Sequence, residues 1–361
     1  MDAESRSFEY NESSQRVLFG KGVLAKLATE VAALGCKAPL LLTTPQQASA
    51  VQDLTQILNG HVAGSFTRAT MHTPTDVTEE ALVYAKTTNA DCLLSIGGGS
   101  TVGLGKALSL RTGLPHICIA TTYAGSEMTP ILGETKNQQK VTRVDRAVIP
   151  KVVIYDVNLT LSLPTGMSAT SGLNAMAHAV EALYAKDTSP IVRIFALEGI
   201  RALASSLPGV MENSQSIAFR SEALLGAWLC GKCLAMTTVA LHHKLCHVLG
   251  GTLNLPHAET HAIVLPHALA YTAPDIPQVM KDLAEIIPHS EGDAIQGLNR
   301  LVSKLGIPSS LKALGMKEED IELVTDNLMM LTFWNPRPVN KDSVQKMIRR
   351  AWLGEQARVD I

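Results

Sequence analysis

The sequence predicts an α/β domain with a mostly parallel, doubly wound sheet, followed by an all-α domain. Three observations carry this. Across the first 160 residues, short apolar runs alternate with stretches of helical periodicity, the mark of repeated βα units. Several of those runs, APLLLTT and DCLLSIG among them, are continuously apolar, as strands covered on both faces must be. From about Thr170 onward the apolar spacing is three and four, punctuated by prolines from Pro190 to Pro336. The division falls at Leu163-Pro164, so that 1–163 form one unit and 164–361 the other, with a cleft and a hinge between them.

Taken in order, RVLFGKG reads as a strand and turn, and VLAKLATEVAALG as a helix that stops at Gly35. APLLLTT is a strand, and Pro45 opens a helix through QQASAVQDLTQILNG. VAGSFTR is a strand, and the helix TDVTEEALVYAKTTNA has Thr75 or Asp76 as N-cap. DCLLSIGGGS is strand plus glycine loop, GLGKALSLRTG a helix, PHICIATT a strand and VVIYDVNL the last strand of the unit.

Hydrophobic residues make up 46% and charged residues 18%, an ordinary enzyme composition, while 4% aromatics leave the core to Leu, Val, Ile and Ala. A net charge of −2 gives no footprint for nucleic acid, and no basic run marks a membrane surface. The polar start MDAESRSFEYNESSQR is no secretory signal, and no stretch reads as a bilayer span, so a cytoplasmic protein is expected. Six cysteines lie scattered in apolar segments, as reduced thiols do. Cys230 and Cys233 have zinc-ligand spacing but no second pair, and their helix-like surroundings favour core packing.

Two loops suit a nucleotide. Gly97, Gly98, Gly99 and Ser100 follow a buried strand and precede a helix, where small residues and free N–H groups accept a pyrophosphate. Thr121, Thr122 and Ser126 lie in a second polar loop at a strand's carboxyl end, suited to the rest of a dinucleotide. Thr43 and Thr44 follow the second strand, in a stretch (42–46) without the carboxylate that would repel a 2′-phosphate, so both NADH and NADPH are expected.

Histidines supply the chemistry. Six of the eleven fall between 242 and 267, in HHKLCHVLGGTLNLPHAETHAIVLPH. His243 and His247 are four apart on one helical face, His257 returns from the next turn, and Asn174 and His178 share a face upstream. Such a concentration suits a metal or an anionic substrate.

On these motifs the chain resembles the iron-containing alcohol dehydrogenase and dehydroquinate synthase-like superfamily. The resemblance spans FGKG, the GGGS loop, the TT…SE loop, N-x-x-x-H, H-x-x-x-H and the later P-H. Metal-dependent members hold the ion with Asp and three His, which here match Asn174, His178, His243 and His257, and His247 matches a histidine near the nicotinamide. Three departures stand out: GGGSxxDxAK reads GGGSTVGLGK, with Gly103 for the acid; TTAGTGSE reads TTYAGSE; and the acidic ligand is Asn174. Together they resemble the maleylacetate reductase branch, which implies reduction of a C=C bond in aromatic catabolism, a small dicarboxylate substrate, no metal and a homodimer. His178, His243, His247 and His257 are then expected to be catalytic, in part as protonated imidazoles, with Tyr123, Asn174 and His242 at the substrate. The alternative is a metal-dependent alcohol or polyol dehydrogenase. A lyase of the dehydroquinate synthase type needs more Lys and Arg near the histidines than this chain offers.

Overall fold

The computed structural model describes residues 14–136 and 139–360. Six parallel strands form one sheet: β1 (Arg16–Gly20), β2 (Pro39–Leu42), β3 (Gly64–Phe66), β4 (Cys92–Gly97), β5 (His116–Ala120) and β8 (Val152–Asp156), in the order β1-β8-β5-β4-β2-β3. Helices α1 (Leu27–Ala33), α2 (Ala50–Ile57), α3 (Thr75–Thr87) and α4 (Gly99–Thr112) connect them. Strands β2, β4, β5 and β8 are buried along their whole length, which explains why their sequences are nearly continuous apolar runs, broken only by Ser95, His116 and Asp156, rather than alternating ones.

Three local expectations are corrected. The helix N-cap expected at Thr75 or Asp76 is Pro74, whose extended backbone (φ −60°, ψ 138°) starts α3 at Thr75 without a side-chain cap. Helix α4 begins at Gly99, not at Gly103, because the amides of Thr101 and Val102 already close onto the Gly98 carbonyl. An antiparallel hairpin, β6 (Ile131–Lys136) and β7 (Gln139–Val144), was not foreseen, since its polar strands carry little hydrophobic signal.

After β8 a short turn leads to Pro164, and the helices follow: α5 (Thr165–Tyr184), α6 (Pro190–Glu212), α7 (Ile217–Met236), α8 (Leu241–Leu253) and α9 (His257–Thr272). Helices α10 (Pro277–Ile286), α11 (Ala294–Lys304), α12 (Asp320–Met329) and α13 (Lys341–Leu353) complete the chain. The central helix is α5, buried from Ser168 to Tyr184 and packed against α6, α7 and α9. Its small residues (Ala169, Gly172, Ala175, Ala179) permit that crowding: a Cβ on Gly172 would stand 2.8 Å from the Leu207 methyls.

Helix α6 is long and apolar enough by overall composition to be a candidate span, with a mean hydropathy of 1.3 over its best window, although Arg193, Glu198 and Arg201 interrupt its apolar run. Its Val192, Ala196, Ile200, Leu203 and Leu207 are instead buried in the helical core. All six cysteines are free and buried, and Cys233 Sγ points to the Val192 carbonyl. At the junction of the two units, buried Arg220 of α7 donates to the Leu163 carbonyl (2.9 Å), Ser168 Oγ (2.6 Å) and the Ser214 carbonyl (2.9 Å). The segment expected to act as a hinge is therefore gripped by a cation that has no carboxylate among these partners.

Candidate active site

Three loops meet at the carboxyl edge of the sheet. Gln47 Nε2 donates to Thr121 Oγ1 (3.1 Å), and the Thr121 amide donates to the Gly97 carbonyl (3.0 Å). Glycine is required there by close approach: a Cβ on Gly97 would lie 2.5 Å from Gln47 Oε1, and one on Gly98 would lie 2.9 Å from the Thr122 side chain. Beside them Gly99 is exposed with open space around it and begins α4, so the helix's free amides face outward, as a dinucleotide phosphate needs. Ser126 Oγ is buried without a partner. These residues fit a dinucleotide. Thr43 does not join them, since it is fully buried and its hydroxyl donates to the Thr44 carbonyl; half-buried Thr44 is the one free to reach a ligand.

Lys106, two turns further along α4, ties the second loop down. Its buried Nζ donates to the carbonyls of Ser126 (2.6 Å), Thr129 (2.7 Å) and Ile131 (2.8 Å) and to Thr129 Oγ1 (2.9 Å). Burial pushes the ammonium down to about 7, while four oxygen acceptors favour the charged form. The structure also explains the missing acid at Gly103. A Cβ there would stand 2.3 Å from Oγ1 of Thr73, a buried residue in left-handed backbone (φ 45°) with little room to yield. Gly103→Asp is accordingly expected to destabilise the protein by about 1–3 kcal/mol, read from urea denaturation.

The second loop runs into the helical unit. Gly125 (φ 80°) would place a Cβ 3.0 Å from the Gly231 Cα and 3.7 Å from His178 Nδ1, so loop, α7 and the first histidine touch. From His178 a row of imidazoles continues. Ring centroids are 5.0 Å apart for His178 and His243, 5.0 Å for His243 and His261, 4.3 Å for His261 and His257, and 6.2 Å for His243 and His247. The structure thus brings together all four histidines expected to be catalytic. His178, His242, His243 and His261 are buried, whereas His247 and His257 are exposed.

Two residues that sequence reasoning passed over organise this row. Glu181, buried on α5 one turn beyond His178, accepts from His243 Nδ1 (2.7 Å) and from the amides of Ala240 (2.8 Å) and His242 (2.7 Å). It caps α8 and fixes the His243 proton on Nδ1, so Nε2 faces the site. His261, four residues after His257, meets His242 Nε2 through its Nδ1 at 3.0 Å. Both were legible as same-face neighbours of residues already chosen.

Among the described residues, eleven buried side-chain polar atoms have no hydrogen-bond partner, and five of them lie here: Asn174 Oδ1, His178 Nδ1, His242 Nδ1, His243 Nε2 and His261 Nε2. Buried polar groups are normally satisfied, so such a concentration marks where a ligand supplies the partners.

Two expectations about the site are corrected. Tyr123 does not present a free hydroxyl to the site: it is fully buried in the core, its hydroxyl accepting from Arg220 Nη1 at 3.4 Å. Nor do all the histidines favour the charged form. Burial, and then the neighbouring imidazoles, hold His178, His242 and His261 well below the usual imidazole range.

The donors at the positions of the iron ligands form a weaker set for a divalent ion than a carboxylate with three imidazoles. The acidic ligand is replaced by a neutral amide, Asn174. Among the described residues, the only three His, Cys, Asp or Glu side chains whose donor atoms all lie within 4.8 Å of one another are His242, Cys246 and His261, not His178, His243 and His257. In that trio the two imidazole nitrogens already face each other as a hydrogen bond.

Comparison with known proteins agrees with this architecture. Residues 14–157 match the iron-containing alcohol dehydrogenase family, and residues 168–352 match the C-terminal part of the Fe-containing alcohol dehydrogenase family. Maleylacetate reductase from Rhizobium sp. (strain MTP-10005) is 47% identical over 347 residues, covering 96% of this chain and 98% of that one. Maleylacetate reductase from Pseudomonas sp. (strain P51) is 47% identical over 349 residues, covering 97% and 99%. The crystal structure of maleylacetate reductase from Agrobacterium tumefaciens superposes with a TM-score of 0.94 at 46% identity, covering 97% of this chain and 99% of that one. With both halves matched and near-complete coverage, the chain belongs to the iron-containing alcohol dehydrogenase family.

Proposed function

We propose that this protein is a maleylacetate reductase, which reduces the C=C bond of maleylacetate to 3-oxoadipate with NADH or NADPH in the breakdown of aromatic compounds. The observation that carries the reading is the row of imidazoles and one neutral amide, five of whose buried polar atoms are unpartnered, set against the nucleotide loops. Near-full-length relatives of that name support it. Bound at the loops of β4 and β5, the nicotinamide supplies the hydride.

The chain's own residues do the rest. Hydride addition to the carbon β to the ketone moves an electron pair onto the ketone oxygen, and that oxygen needs a hydrogen-bond donor as charge develops. We assign this role to His243. Its Nδ1 proton is held by Glu181, and the buried carboxylate is the counter-charge that lets Nε2 carry a second proton toward the oxygen. The adjacent carbon then takes a proton, completing the two-electron, two-hydrogen reduction. Exposed His247, beside His243 and able to exchange with water, is the donor we assign. No step requires a metal. The substrate carboxylates meet the remaining donors of the row.

Loss of NADH absorbance on adding maleylacetate is the direct test. Full activity is expected after exhaustive chelation. Activity that vanishes with chelator and returns with one added metal would instead place the protein among metal-dependent dehydrogenases. NADH and NADPH are expected to serve within about 100-fold of each other in kcat/KM, roughly 2.7 kcal/mol, because residues 42–46 carry no carboxylate. A larger preference for NADH would reveal another group that repels the 2′-phosphate. A cytoplasmic homodimer is the assembly we propose, on the strength of the resemblance alone.

A further inference from the structure

We propose that His261 is a specificity-determining residue: oriented by His242, it presents Nε2 to the substrate carboxylate remote from the hydride-accepting carbon. The inference rests on the reading of the site as one for a maleylacetate-like oxo-diacid.

His178 lies beside Gly125 of the loop that borders the nucleotide; its ring centroid is 5.0 Å from that of His243, whose own is 5.0 Å from that of His261, while exposed His257 neighbours both His261 and His178. The substrate has a matching order. One carboxylate is attached to the carbon that accepts the hydride, the ketone follows, and the second carboxylate lies at the far end of the chain. With the reacting carbon at the nucleotide end and the ketone oxygen at His243, the far carboxylate falls at His261.

His261 is also held so that one ring nitrogen stays unpartnered. Its ring is fully buried, its Nδ1 faces His242 Nε2 at 3.0 Å, and its Nε2 has no partner. When His242 Nε2–H donates to Nδ1, the single proton of His261 sits on Nε2, a buried donor that lacks an acceptor until an anion arrives. A buried donor left unmade is costly, so the site favours a ligand that supplies an oxygen there. Cys246 Sγ, 3.8 Å from His242 Nε2, closes the other side of that nitrogen with a thiol that burial keeps protonated. His243 differs in being backed by a carboxylate. The two partners divide the work: His243 serves the oxygen on which charge develops, and His261 serves a charge already present in the ground state.

Equilibrium binding to the NADH-loaded protein tests this, followed by quenching of NADH fluorescence. The two probes are 3-oxoadipate and 4-oxopentanoate, which lacks only the far carboxylate. The wild type is expected to bind the diacid more tightly. His261→Gln is expected to weaken the diacid about 30-fold and the monoacid by no more than about 3-fold, since a charge-assisted hydrogen bond is lost for the first alone. His242→Phe, which leaves the His261 ring but releases its Nδ1, is expected to lose part of the same preference, with NADH affinity unchanged in both variants. Equal weakening of both acids in either variant, or no weakening in His261→Gln, overturns the assignment, as does a wild type that does not distinguish the acids. Failure of the wild type to reduce maleylacetate would instead overturn the proposed function, a result the binding comparison does not depend on.

Discussion

Glu181→Ala is expected to lower kcat/KM for maleylacetate by about 100-fold and to cost about 3–5 kcal/mol of stability. Three donors converge on this buried carboxylate: His243 Nδ1 and the amides of Ala240 and His242, all within 2.8 Å. Each would be left buried without an acceptor, at about 1–3 kcal/mol apiece before relaxation. The catalytic loss has a separate origin. Without the carboxylate, His243 is free to turn or to move its proton, and Nε2 no longer meets the ketone oxygen as a charged donor. Glu181→Gln separates the two effects. Its amide oxygen can still cap α8, but it carries no counter-charge, so kcat should fall while NADH affinity holds. Measured kcat/KM values and urea denaturation curves for both variants check this, and a Gln variant with wild-type kcat/KM would refute the role.

Acid is expected to destabilise the protein from pH 6.5 downward, before most carboxylates titrate. Burial holds His178, His242 and His261 well below the usual range, takes His267 to about 4 with help from Arg350, and takes His116 to about 3 with help from Lys106. In the unfolded chain these imidazoles bind protons near pH 6.5, whereas in the folded chain they do not. Falling pH therefore favours the unfolded state, and the loss continues until the folded pKa values are reached, near 4 for His267 and near 3 for His116. Each group contributes up to about 1.4 kcal/mol per pH unit, so five together exhaust a typical reserve of about 5–15 kcal/mol within roughly two units. Urea midpoints at pH 8, 7, 6 and 5.5 measure this directly. A flat profile from pH 7 to 5.5 would show that water or an anion lets these histidines charge in place. A bound diacid should move the whole profile toward lower pH by supplying the missing partners.

Much of this protein was legible in its residues, because the relevant signals are local. Strands covered on both faces must be apolar throughout, so β2, β4, β5 and β8 were plain. Glycine loops after buried strands announce a phosphate site, and helical spacing grouped Asn174 with His178 and His243 with His247. The hairpin β6–β7 was not legible, because the mostly polar strands of this separate two-stranded sheet carry little hydrophobic signal. Roles within the site lay further out of reach. Whether Tyr123 meets a ligand or Arg220, and whether Glu181 faces solvent or caps the helix that bears His243, is set by contacts between segments 59 to 97 residues apart. Charge is decided the same way. A histidine's type offers a proton near neutrality, but burial and the neighbours brought by α5, α8 and α9 determine whether it holds one. The sequence by itself determined which side chains were present and which shared a helical face; only packing between helices determined which of them are buried, which are exposed and what each one faces.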